Sequence, residues 1–124
     1  MRYLCQVWFE PSVLERMSDE EKRTLDRDSA GYDLDLEVSG HMIHAEALQA
    51  PSAAVTVKVR NGEMAMTDGP FAETKEQLGG FILIEAKDLN DAIRVAAGIP
   101  LAKYGSIEVR PVHDFKSKLQ EAAR

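Results

Sequence analysis

Apolar residues recur along the chain in short blocks whose period changes from two to about 3.6 and back, and this change of period marks out the elements. Arg2–Phe9 (RYLCQVWF) is apolar on both alternating faces and is closed by Pro11, which reads as a buried strand. Ser18 followed by Glu21 forms an S-x-x-E capping box, with Asp19 and Glu20 adding charge that suits the positive end of a helix. That helix runs to about Val38, with Leu25, Ser29, Tyr32 and Leu36 along one stripe and Gly40 as its stop. Gly31 weakens its interior and leaves room for a bend or a break.

His41–Leu48 alternates again, placing Ile43, Ala45 and Ala47 on one face and Met42, His44, Glu46 and Leu48 on the other. Ala53–Arg60 continues the pattern through Val55, Val57 and Val59, and Asn61-Gly62 signals a type I′ turn back into Glu63–Thr67. This predicts a hairpin with one wet face. Gly80–Ala86 (GFILIEA) is apolar on both faces, so it belongs with the first strand at the centre of a sheet. Asp88 caps a second helix through Ala97, ended by Gly98 and Pro100, and Ser106–Val112 supplies the last strand. The sequence divides into a domain over 1–115 and a charged tail over 116–124, the tail reading as a short, frayed helix.

With the hairpin set aside, the order is β-α-β-β-α-β, an α+β, ferredoxin-like split βαβ arrangement whose first and third strands are expected to be central and parallel. Right-handed crossovers place both helices on one face of the sheet. The first strand offers Leu4 and Trp8 on one side and Tyr3, Val7 and Phe9 on the other, so large apolar groups stay uncovered whichever side the helices take. A second copy of the chain is the simplest cover, and a homodimer is expected.

A chain of 124 residues, 44% hydrophobic and 29% charged, is sized for one core. Its net charge of -6, with Lys and Arg scattered, would repel a phosphate backbone and excludes nucleic acid as an expected partner. Cys5 is the sole cysteine, so no intramolecular disulfide or cysteine-based zinc site can form, and a reducing cytoplasm fits best. The first apolar run is broken by Gln6, Glu10 and Pro11, too soon for a secretory leader or a membrane span.

The segment Asp68–Phe81 (DGPFAETKEQLGGF) resembles the signature of the DGPF group of YCII-related proteins, and the resemblance extends to Glu46–Pro51, the hairpin, Asp88-Leu89, Ile99-Pro100 and Glu108–Val112. It implies a ferredoxin-like subunit that pairs into a dimeric α+β barrel with a cleft near the motif. The YCII branch is associated with a His–Asp pair whose histidine comes from the first-helix region, and no histidine lies between Met1 and Gly40 here, so that pair does not transfer. Relatives associated with sigma factors imply an accessory or regulatory role beside a catalytic one.

Candidate chemistry falls at three places. Asp68 can form an Asx-turn, Gly69 can take positive φ, and Pro70 keeps Gly69 out of the α region, so the motif reads as a turn. The same stiffness would hold the Asp68 carboxylate at the mouth of a cleft, with Glu73 and Lys75 close by to bind a polar substrate. His44 and Glu46 share a strand face and could do acid–base work, or form a solvated pair. Arg110, on the face of Glu108, could bind a carboxylate or form a structural ion pair. Gly79-Gly80 reads as a bulge or a close backbone approach, since no phosphate-loop pattern follows. His41, His44 and His113 are too dispersed for a metal site, and no nucleotide loop is present. The expected function is therefore a cofactor-independent lyase, isomerase or hydrolase acting on a small polar or aromatic metabolite, with Asp68, His44 and Glu46 as acid–base groups. The alternative is a non-catalytic ligand-binding or accessory module.

Overall fold

The computed structural model describes residues 1–123. β1 (Arg2–Phe9) leads through a short helix α1 (Pro11–Glu15) into the long helix α2 (Asp19–Val38) and β2 (Met42–Ala47). A hairpin follows, β3 (Val55–Arg60) and β4 (Glu63–Asp68), then β5 (Gln77–Glu85), α3 (Leu89–Gly98), β6 (Ser106–Pro111) and α4 (Phe115–Ala122). Helix α1 was not expected from the pattern. Pro11, which ends the strand, also occupies the first helical turn, where a missing N–H leaves no bond unmade. The charged tail of 116–124 contributes to α4, and its last residue lies outside the described residues.

The main sheet has the order β2-β5-β1-β6, so the two strands that are apolar on both faces are central, as their composition requires. Every neighbouring pair is antiparallel, which corrects the expectation that β1 and β5 run parallel. In a split βαβ unit the crossover makes β1 and β2 parallel to each other, and the strand inserted between them must oppose both. Helices α2 and α3 cover one face, where Tyr3, Cys5 and Val7 of β1 and Ile82 and Ile84 of β5 pack with Leu36, Ala92, Val95 and Ala96. Cys5 and Ile84 have no exposed surface. Burial pushes the Cys5 thiol up to about 11, which makes it a packing group and not a nucleophile. Met42 joins this core, against the alternation read from sequence, because the β2–β5 register shifts between Met42 and His44. That bulge turns Met42 onto the helix side.

Helix α2 starts at the predicted capping box, Ser18 Oγ accepting from the Glu21 N–H and Glu21 Oε1 from the Ser18 N–H, both at 3.1 Å. It passes through Gly31 unbroken. Gly31 has open space where a side chain would stand, so it costs only its propensity, about 1 kcal/mol. Along the whole of α2 only Leu36 is buried. In the hairpin, Asn61 (φ 54°) and Gly62 (φ 78°) take the left-handed conformations of a type I′ turn. β3 pairs only with β4, and Val55, Val57, Val59, Met64 and Met66 are all between 55% and 65% exposed. The ribbon expected to have one wet face has two within a single chain.

At the start of α3, Asp88 Oδ1 accepts from the Asp91 N–H at 2.9 Å. The buried Asp91 carboxylate accepts from the Lys87 N–H at 3.0 Å and lies 3.0 Å from His41 Nε2. These contacts, the Lys87 N–H first and His41 after it, hold its carboxyl down at about 2. A carboxylate whose folded value is depressed stabilises the fold fully above its unfolded value near 4, and that contribution is lost as pH falls toward 2. Wild type should therefore melt above Asp91→Asn at pH 5–7, and the gap should close between about pH 4 and pH 2. A gap that stays constant over this range would show that the network contributes no linked stability.

Candidate functional site

Because α2 meets the core only near its C-terminal end, the rest of the helix stands away from the sheet and leaves a cavity of about 560 Å³ beneath it. That volume lies within the range of small-molecule sites, about 300–1,000 Å³. The floor is apolar: Val7 and Phe9 of β1, Ala45 and Ala47 of β2, and Ile82 of β5, with Ile99 and Leu101 closing one side. The helix supplies the rim through Lys22, Asp26, Ser29 and Asp33, whose spacing of i, i+4, i+7, i+11 keeps them on one stripe. Among the described residues none of these four side chains has a hydrogen bond or an ion pair.

Close approaches shape this space. The β1–β5 register shifts between Val7 and Trp8, opposite Gly80 and Leu78, which leaves Gly79 unpaired. A methyl on Gly79 would enter the Phe9 ring, and one on Gly80 would lie 2.7 Å from the Glu46 carbonyl oxygen. Gly79-Gly80 is thus both the bulge and the close approach read from the sequence. At the far end, Tyr32 Oη donates to the Val95 carbonyl at 2.6 Å. Gly98 makes this possible, since a methyl there would strike the Tyr32 hydroxyl. The Asp33 carboxyl is raised above its ordinary value, first by burial and then by the charge of Glu37. A carboxyl moved in that direction is better matched to proton transfer near neutral pH.

Of the candidate site residues singled out from sequence, Glu46 borders this cavity, and His44, Asp68, Glu73, Lys75 and Arg110 are not among its lining residues. His44 and Glu46 do share the open face of β2, with His44 Nε2 4.0 Å from Glu46 Oε2 and the His44 ring 6.1 Å from that of Phe81. Arg110 pairs with Glu108 at 2.9 Å on β6, the opposite edge of the sheet, about 14 Å away across three strand spacings. Lys75 Nζ lies 3.2 Å from Glu10 Oε1. Glu73 shares a shallow hollow with Lys75, Pro11 and Pro51. Asp68 is exposed at the end of β4. Gly69 takes φ 98°, its N–H donating to the Ala54 carbonyl at 2.7 Å and its carbonyl accepting from Thr56 Oγ1 at 2.9 Å, so the turn reading of this segment has its backbone partners. The loop after it is tied down by Gln77 Nε2, which donates to the carbonyls of Ala72 at 3.1 Å and Thr74 at 2.7 Å. Neither the main cavity nor the hollows beside the hairpin bring Asp68 together with His44.

Two groupings escaped the sequence reading. Lys22, Asp26, Ser29 and Asp33 went unnoticed as a set, although the inner stripe of α2 carries Ser29 and Tyr32 where a core would carry aliphatics. The other is Ser39–His41–Asp91, with Ser39 Oγ 2.7 Å from His41 Nδ1 and Asp91 Oδ2 3.0 Å from His41 Nε2, the residue order of a hydrolase triad with the two ring nitrogens exchanged. The N–H groups of Ser39, Gly40 and His41 already donate to the carbonyls of Asp35, Glu37 and Leu36, so none is free to stabilise an oxyanion. The trio joins the ends of α2 and α3.

A family model for the YCII-related domain matches residues 1–116. An uncharacterised protein of Rhizobium meliloti (strain 1021) is 36% identical over 118 residues, which cover 94% of this chain and 95% of that protein. No helix among the described residues is long and apolar enough to cross a membrane.

Removing the hydroxyl in Tyr32→Phe should cost about 1 kcal/mol in urea unfolding, the net worth of one hydrogen bond. It should also speed hydrogen exchange through α2, because the tie to α3 is lost. Unchanged exchange in α2 would mean that the Tyr32 hydroxyl does not hold the helix.

Proposed function

The chain belongs to the YCII-related domain family, and from that premise we propose that it binds a small polar or aromatic metabolite between α2 and the sheet and acts on it without a cofactor, as a lyase, isomerase or hydrolase. The observation that carries this reading is the cavity itself, a largely apolar floor under a helix whose rim side chains Lys22, Asp26, Ser29 and Asp33 have no hydrogen bond or ion pair among the described residues. Asp33 is the group best suited to move a proton there, since its carboxyl is already raised. A second reading, a ligand-binding or accessory module, is supported by the exposed apolar face of the hairpin, which suits contact with another protein. Under that reading the regulatory role implied by sigma-factor-linked relatives would apply, and we assign the chain to the DGPF group on Asp68–Phe71. The buried free thiol of Cys5 supports a cytoplasmic setting.

We further propose a homodimer. Leu4 and Trp8 of β1 and Leu78, Phe81 and Leu83 of β5 lie on the face away from the helices and are only partly buried, and a second sheet would cover them. A barrel closed in this way would set His44, Glu46 and Arg110 around its cleft, and the hairpin would bring Asp68, Glu73 and Lys75 toward its mouth. In that arrangement Asp68, His44 and Glu46 serve as acid–base groups, and Glu73, Lys75 and Arg110 bind substrate.

A thermal-shift screen of metabolites should yield a compound that stabilises the protein, by about 2.7 kcal/mol at one hundred times its Kd. Ser29→Trp, which fills the cavity, should abolish that shift. A shift retained in Ser29→Trp would move binding away from α2. Light scattering at micromolar concentration should give twice 13.8 kDa, with Trp8→Glu reducing it to the single-chain mass. A monodisperse wild-type monomer overturns the covered sheet.

A further inference from the structure

We propose that the α2 cavity selects ligands carrying one protonated amine on an apolar body, the amine resting on Asp33. The inference rests on the cavity being the binding site and adds the class of molecule. The floor is largely hydrocarbon, from Val7, Phe9, Ala45, Ala47 and Ile82, which suits an aromatic or aliphatic body; Glu46 also borders it, its carboxylate 4.0 Å from His44 Nε2. The rim is where a head group must find its complement. Of its charged groups, Lys22 and Asp26 are exposed, one turn apart on α2, and can offset each other. Asp33 is different, being half-buried and having no hydrogen bond or ion pair among the described residues.

An anionic ligand would meet Asp33 and Asp26 across the floor, with Glu37 close enough to Asp33 to act on its titration. A phosphate or carboxylate head is therefore disfavoured by like charge in a partly desolvated space. A neutral ligand would leave the Asp33 carboxylate short of solvent and still unpaired. A protonated amine resolves both, donating charge-assisted hydrogen bonds to Asp33 and to Ser29 Oγ one turn away. The bound amine would also tie α2 to the sheet at mid-helix, where the helix enters the core only through its last turns, at Leu36 and the Tyr32–Val95 bond.

The test compares three probes with one indole body: tryptamine, tryptophol and indole-3-acetate, which carry a cationic, a neutral and an anionic head. Binding is followed by amide NMR shifts at Leu25, Ala47 and Gly80, up to about 10 mM, ten times a millimolar Kd. Tryptamine should bind at least about tenfold more tightly than tryptophol, and indole-3-acetate more weakly than either. Asp33→Asn should bring tryptamine down to the affinity of the alcohol. In wild type the preference for the amine should fade as pH drops through the titration of Asp33, which provides a second readout if the variant is unstable. Equal binding of all three, or preference for the acetate, overturns the amine assignment while leaving the cavity as a binding site. If none of the three moves the cavity resonances, the cavity reading fails and the assignment fails with it.

Discussion

The placement of α2 depends on a contact made at one end. Tyr32 reaches across to the Val95 carbonyl over Gly98, Leu36 enters the core, and Ser39 and His41 join the helix end to Asp91 at the start of α3. N-terminal to Tyr32 the helix is held by its own stiffness, by its capping box and by its approach to the Pro100–Lys103 turn. A helix of this length earns most of its stability from packing, and here the packing is concentrated in its last turns. The cavity is the geometric result, because a straight rod fixed at one end over a twisted sheet must diverge from it.

The sheet itself carries apolar groups on both faces, and the chain covers one of them. Register places Leu4 beside Leu83 and Trp8 beside Leu78 on the open side, flanked at the edges by His44 with Glu46 and by Arg110 with Glu108. Apolar centre and charged margins resemble the distribution in protein–protein interfaces, where the middle is desolvated and the rim stays polar. The hairpin extends this pattern, since its five exposed valines and methionines gain no cover from their own chain.

The Asp68–Phe81 segment shows how a strong sequence signal can belong to architecture. Gly69 supplies the left-handed residue, Thr56 and Ala54 bond its backbone, Gln77 ties the loop, and Gly79-Gly80 admits the Phe9 ring and the β2 backbone. Each requirement acts over a few residues, which is why each is visible in the sequence.

The sequence alone determined the elements whose causes are local: the capping box of α2, the Asp88 cap of α3, the type I′ turn, and the two strands whose composition places them at the sheet centre. It also paired His44 with Glu46, because strand alternation is a rule of neighbours. Only the tertiary structure decided what depends on separation in space. The antiparallel direction of β5 follows from a crossover, and the side taken by Met42 follows from a bulge that alternation cannot register. His41 meets Asp91 across two elements that the sequence keeps apart. Lys22, Asp26, Ser29 and Asp33 were not legible as a set in the sequence, and they became the rim of a cavity because α2 enters the core only through its last turns.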